Sequence, residues 1–409
     1  MRATTLLSIV LGMKKTRVTA VTLTPAGVLA DVAPTTRHPR CSGCYRPVHA
    51  AYDGRERTWR HLDLAGMEIR LRYRLRRVDC PRCGVTTELV PWAEPDGWFT
   101  RDFDEHAAYL AQRSDRTTVA GLLRVAWRTV GNLIQRVVAR RQPEDLLADL
   151  RRIGIDELSY RRHHEYVTVV FDHDRGRVVW IGEGKSADAL GAFFTALGAA
   201  RCAQLEAVTI DMSAAFLKAV TAASPQAQVI FDRVHVQRLA HDALDEVRRA
   251  QVRAAETPAE KAALKKTRWA TQKNPWNLLP REQDKLIEVQ RTNRPLYRAY
   301  QLKETLAGIL DLGDVATATH RLTEWLAWAV RSRLAPFVKL AGTIRKHQAG
   351  ILAYVASGLS NGRTEGMNGK IRVLTRRAFG FHSATNLIAL IYLCCTGLKL
   401  QPVHKLPAG

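Results

Sequence analysis

The sequence predicts a multidomain α+β protein: a cysteine-bearing module, a helical segment, then an α/β core divided by a long all-α stretch. Three observations carry this expectation. Two CxxC pairs, Cys41/Cys44 and Cys80/Cys83, bracket a strictly alternating strand pattern. Residues 151–232 then switch between strand and helix patterns. From 236 to 345 the chain reads as helix, rich in charge and carrying Trp269, Trp276, Trp325 and Trp328.

Composition narrows the function classes. A chain of 409 residues, 46% of them hydrophobic, can build roughly two to four domains with a real core. Against 39 Asp and Glu stand 62 Lys and Arg, a net charge of +23. Such a field attracts polyanions, nucleic acid first among them. An anionic membrane surface is the competitor, but no apolar run approaches the roughly 18 residues that a span requires. The apolar opening "TTLLSIVLG" follows only Arg2 and precedes "MKKTR". It is read as no signal peptide, which implies a reducing cytoplasm.

Residues 1–35 are expected to be a leader with one or two strands. The module at 36–95 follows. In "EIRLRYRLRRV", Ile69, Leu71, Tyr73 and Leu75 fall on one side of a strand and Arg70, Arg72, Arg74 and Arg76 on the other. The 35 residues between the cysteine pairs can hold a hairpin. Four thiolates in two knuckles suit a closed tetrahedral structural Zn²⁺ site, with redox use of a CxxC as the alternative. Cys202, Cys394 and Cys395 are expected to be buried small hydrophobes.

Residues 96–150 read as helices. The segment from Val119 to Val137 fits a helix-turn-helix that would bring Arg124, Trp127, Arg128 and Asn132 to DNA; a plain helical linker is the alternative. The first part of the core, 151–235, begins with three strands, two of them joined at Asp174 and Gly176. "GEGKS" at 182–186 lacks the earlier glycine of a phosphate-binding loop, Val standing at 179. Asp172 and Asp174 are read as turn formers, and His163-His164 lack a partner at metal spacing.

Asp156 follows "IGI" and Asp211 follows "VTI", each capping an apolar strand. The order strand, strand, strand, helix, strand is ribonuclease-H-like, and it makes the first and fourth strands neighbours. Asp156 and Asp211 would then meet, an arrangement that a divalent cation stabilises. After the helical stretch 236–345, the last core segment, 346–400, contains "SNGRTEGMNGKIRVLTRRAFGF". There Met367, Ile371, Leu374 and Ala378 form an apolar stripe, with Glu365, Asn368, Arg372 and Arg376 on a polar face. Residues 401–409 are a tail.

"GIDE" at 154–157, "IDMSAAFLKAV", "FDRVHV", "TRWATQKNPWNL", the 360–381 segment and "RRVDCPRCG" together resemble the transposases of the ISL3 insertion-sequence family, in the same order along nearly the whole chain. The resemblance implies a DDE transposase whose ribonuclease-H-like core carries a helical insertion. Its acidic triad becomes Asp156, Asp211 and Glu365, holding two Mg²⁺ or Mn²⁺ ions. His235, in an Asp232-x-x-His235 motif where Val234 replaces the usual aromatic, takes a supporting role near the acids or the DNA, with a structural hydrogen bond as the alternative. Arg363, Asn368, Lys370, Arg372, Arg376 and Arg377 are expected to meet DNA phosphates, with Arg124 and Arg128 of the helical segment contributing to end recognition. The implied partners are the double-stranded terminal inverted repeats and target DNA, bound by a homo-oligomer, with no membrane. A DNA-binding regulator without catalysis and a structure-selective nuclease or resolvase on the same core are the rival readings.

Overall fold

The computed structural model describes residues 2–142, 145–161, 165–359, 362–378, 380–381 and 383–402, with 363–365 described by backbone alone. Two compact units divide the chain, one comprising 1–143 with 385–409 and the other 144–384.

The first unit opens with helix α1 (Ala3–Leu11) and strands β1 (Thr16–Thr24) and β2 (Gly27–Pro34). Long strands β3 (Ala51–Leu64) and β4 (Met67–Cys80) form a hairpin, and β5 (Gly84–Thr87) turns back along β4. The sheet order is β1-β2-β4-β3. The expected leader is therefore part of this sheet: β2 runs parallel to β4, with Val28 opposite Ile69. The cause is a shared apolar face, since Val28, Ala30, Val32, Ile69, Leu71 and Trp59 pack in one core. The arginine face of β4 is less solvated than the alternation predicts. Arg72 makes a two-point ion pair with Asp31, and Arg76 with the buried Glu88.

Three helices follow, α2 (Arg101–Ala111), α3 (Arg116–Leu123) and α4 (Trp127–Arg141). Thr100 caps α2 and Asp115 caps α3, each accepting a backbone N–H. Val119, Leu123, Val130, Leu133, Ile134 and Val137 are buried, the apolar spacing of a packed helix pair.

In the second unit β6 (Arg152–Arg161), β7 (Glu165–Asp172) and β8 (Arg177–Glu183) form an antiparallel meander. Helices α5 (Ala187–Leu197) and α6 (Ala199–Cys202) lead to β9 (Ala207–Ile210), and α7 (Ala214–Ala223) leads to β10 (Gln228–Phe231). The sheet order is β10-β9-β6-β7-β8, with β9 parallel to both β6 and β10. The first and fourth strands of the unit are thus neighbours.

From Arg233 to Ser357 the chain is helical: α8 (Arg233–Ala254), α9 (Pro258–Leu264), α10 (Thr267–Gln272), a short 3₁₀ turn, α11 (Pro280–Thr292), α12 (Arg294–Leu310), α13 (Val315–Arg331), α14 (Ala335–Lys346) and α15 (Gln348–Ser357). Gly350 lets α15 sit on β10, because a Cβ there would meet the Phe231 ring at 2.5 Å. Next comes α16 (Gly362–Arg377), which packs against β6. The sequence carries the last core segment to residue 400, whereas α17 (Ala384–Cys395) groups with the first unit almost entirely. There Gln112 donates to the Leu393 and Leu398 carbonyls, and Gln135 to Asn386.

Candidate active site and metal centre

The four paired cysteines converge. Their sulfur atoms all lie within 4.8 Å of one another, and among the described residues no other group of three or more His, Cys, Asp or Glu does so. Cys44 and Cys80 Sγ are 3.6 Å apart, close to the roughly 3.8 Å that two thiolates on a tetrahedral zinc require. Both knuckles share a backbone signature. The residue after each second cysteine is left-handed, Tyr45 at φ 63° and Gly84 at φ 68°. Gly43 N–H donates to Cys41 Sγ, and backbone N–H groups of Arg82 and Cys83 lower the Cys80 thiol to about 7, while burial and the neighbouring Cys41 and Cys44 push Cys83 up to about 12, a proton that a bound metal would displace. Amides aimed at sulfur stabilise thiolate, so the donor set fits Zn²⁺.

The helical segment forms a helix-turn-helix, with α3 ending at Arg124 (φ 52°) and α4 starting three residues later. Trp127, Arg128 and Asn132 are exposed along α4. Arg124 is exposed too, but its guanidinium bonds Asp63 and the Gly66 carbonyl. It ties the turn to the β3–β4 hairpin, a use that residue type alone does not reveal.

Asp156 and Asp211 come together in the second unit. The parallel pairing of β6 and β9 runs through Gly154 and Thr209, and each aspartate stands two residues further on. Asp211 follows the last residue of β9. Asp156 corrects the expectation of a strand end: β6 continues to Arg161, with Asp156 opposite Val169 of β7. What ends at Asp156 is its β9 neighbour, which leaves that edge of β6 open. Burial raises the Asp156 carboxyl above its usual range, and the charge of Asp211 adds to this; the Glu157 N–H, His235 and Asn368 oppose it. Glu157 is likewise raised by burial and then by Asp211. Carboxylates on two neighbouring strands are the oxygen ligand type that a divalent cation takes.

His235 enters through the first turn of α8, next to Asp232, which lies directly after β10. Asn368 departs from the polar face assigned to it and is 3% exposed, inside the helix face with Ile371 and Leu374. Its amide donates to Asp156, while the other Asp156 oxygen accepts the Glu157 N–H at 2.7 Å. Sequence reasoning missed this contact, although Asn368 follows Glu365 by one helical turn. The side chains of Arg363 and Glu365 lie outside the described residues, as do His163 and His164. Lys370, Arg372 and Arg376 are exposed on α16, and Arg377 is half-buried. A Cβ at Gly366 or Gly369 would meet nothing within 4 Å, so that stretch of helix is open to close approach.

A basic chain that folds a helix-turn-helix, a tetrathiolate centre and a pair of carboxylates at neighbouring strands is of the class of enzymes that act on DNA. Comparison with known proteins makes the class specific. Residues 153–391 match the ISL3 transposase domain, 88–138 the helix-turn-helix domain of transposase family ISL3, and 37–83 the zinc finger of the IS204/IS1001/IS1096/IS1165 transposases. The chain belongs to the ISL3 family of transposases, and its function is that of a DNA transposase. It is 41% identical, over 91% of its length and 89% of the relative's, to the transposase for insertion sequence element IS1557 of Mycobacterium tuberculosis, in strains CDC 1551 and H37Rv alike. To the transposase for IS1001 of Bordetella parapertussis it is 28% identical, covering 85% of this chain and 86% of that one. Among the described residues no helix is long and apolar enough to cross a membrane.

Proposed function

We propose that Asp156, Asp211 and Glu365 form the acidic site at which this transposase hydrolyses a phosphodiester at each element end and joins the freed 3′-OH to target DNA. The observation that carries the reading is the hydrogen bond from Asn368 to Asp156. It ties α16, the helix that bears Glu365 one turn earlier, to the strand that bears Asp156. The strand order with Asp156 beside Asp211 supports a ribonuclease-H-like core, and the helices from Arg233 to Ser357 would be its all-α insertion.

Mg²⁺ or Mn²⁺ held by these carboxylates would supply Lewis-acid activation of the attacking oxygen and charge stabilisation at the leaving oxygen. Asp156 and Asp211 orient the cation-binding oxygens, and His235 supports Asp156 electrostatically. Arg372 and Arg376 neutralise scissile-strand phosphates along the exposed side of α16, so that DNA can approach an acidic cluster. No serine or tyrosine nucleophile is needed, because hydroxyl oxygens of water and DNA attack in turn. The zinc module and α4 recognise the terminal repeats, and a homo-oligomer brings the two ends together.

The test is strand cleavage by the purified chain on labelled element ends. Cleavage and joining that require Mg²⁺ or Mn²⁺, and that fail in Glu365→Gln, support the reading. Cleavage that persists in Glu365→Gln removes that residue from the site.

A further inference from the structure

We infer that Asn368 is a positioning residue that sets the Asp156 carboxylate for cation binding, and that it does not contact DNA. The inference rests on the acidic site proposed above and adds a residue to it. A phosphate contact needs an accessible side chain. Asn368 is buried on the packed side of α16, while Arg372 and Arg376 occupy the open side.

Its Nδ2 donates to Asp156 Oδ2, and the Glu157 N–H holds Oδ1 at 2.7 Å. Two neutral donors thus fix both oxygens of one carboxylate, and each oxygen keeps a lone pair for a cation. Acidic ligands of metal ions are commonly held this way by groups that never touch the ion. The same amide has an unfilled acceptor. Asn368 Oδ1 is buried and has no hydrogen-bond partner among the described residues. A buried acceptor without a donor is unfavourable unless something else satisfies it. An O–H donor carried by a hydrated divalent cation fits that vacancy.

The bond also fixes a distance. Because Asn368 and position 365 are one turn apart on α16, anchoring Asn368 to β6 sets how far the backbone at 365 lies from Asp156. Loss of the amide should therefore weaken cation binding and leave DNA binding intact.

The experiment uses the full chain with Asn368→Ala and, should that variant fold poorly, Asn368→Ser, with the melting temperature in chelator as the check on folding. Mn²⁺ is titrated while its stabilisation of the chain against heat is followed, and binding of labelled terminal-repeat DNA is measured without divalent cation. The expected result is a Mn²⁺ midpoint raised about 10- to 100-fold, with cleavage recovered at high Mn²⁺ and DNA affinity unchanged. A fall in DNA affinity at an unchanged Mn²⁺ midpoint would make Asn368 a DNA contact and overturn the inference. No change in either would make it a packing residue and overturn it equally. Asp211→Asn run in parallel separates the two claims: if that variant keeps cleavage, the acidic site itself is misassigned; if only Asn368 proves indifferent, the acidic site stands and this inference fails.

Discussion

Removing zinc should unfold one corner of the first unit, and the structure gives the size of the effect. The segment around Cys41 and Cys44 has a very small apolar core, in which Cys41, Val48, Val78 and Cys80 are the buried members. Burying two valines stabilises by about 3–6 kcal/mol. Ordering the roughly dozen residues from Arg37 to Val48 costs about 12–24 kcal/mol in backbone entropy. Hydrogen bonds such as Cys41 N–H to the Arg46 carbonyl (2.9 Å) and Leu89 N–H to the Arg40 carbonyl (2.7 Å) add little net, since water competes for the same groups. The deficit of about 6–21 kcal/mol is of the same order as the about 10–16 kcal/mol typical of a structural zinc. Cys80→Ser, or a strong chelator, should therefore release this segment. Hydrogen exchange of the full chain, with zinc content measured alongside, reads the outcome. Loss of protection at residues 39–48 and 80–88, together with loss of zinc, is expected. Retained protection after complete zinc removal would refute the reasoning.

Two further perturbations are informative. His61 is buried, with Nδ1 2.8 Å from Thr100 Oγ1, the cap of α2, and burial depresses its pKa to about 4. The unfolded chain takes up that proton near pH 6.5 and the folded chain does not, so stability should fall by about 3 kcal/mol between pH 6.5 and 4. His61→Gln should flatten that fall in pH-dependent melting, and an unaltered slope would assign it to other groups. Gly350→Ala gains helix propensity of about 0.5–1 kcal/mol but drives a methyl into the Phe231 ring, at a cost of about 1–3 kcal/mol. Net destabilisation in denaturant melts is expected, and stabilisation would show that the β10–α15 contact relaxes freely.

The sequence was most informative where chemistry depends on local spacing. Two CxxC pairs announced the tetrathiolate centre, and the apolar periodicity of 119–137 announced the helix pair. The alternation at 69–75 named the buried face of β4 correctly. It could not name the partners of the other face, because Asp31 and Glu88 arrive from β2 and from beyond β5. The parallel pairing of β2 with β4 joins residues some forty positions apart, and no local pattern encodes it. Asp156 was read as a strand end because the apolar run stops there, whereas the neighbouring strand stops and β6 goes on. Asn368 was placed outside because its residue type is polar. The hydrogen bond that makes its burial tolerable lies on a strand 212 residues earlier.

Strand cleavage by Asp211→Asn tests the central claim most directly. Asparagine keeps the shape and the Ser213 N–H contact but removes the charge a divalent cation needs. On labelled element ends with Mg²⁺, cleavage should drop by about 10²-fold or more while binding to the same DNA holds. Cleavage at the parental rate would contradict the account.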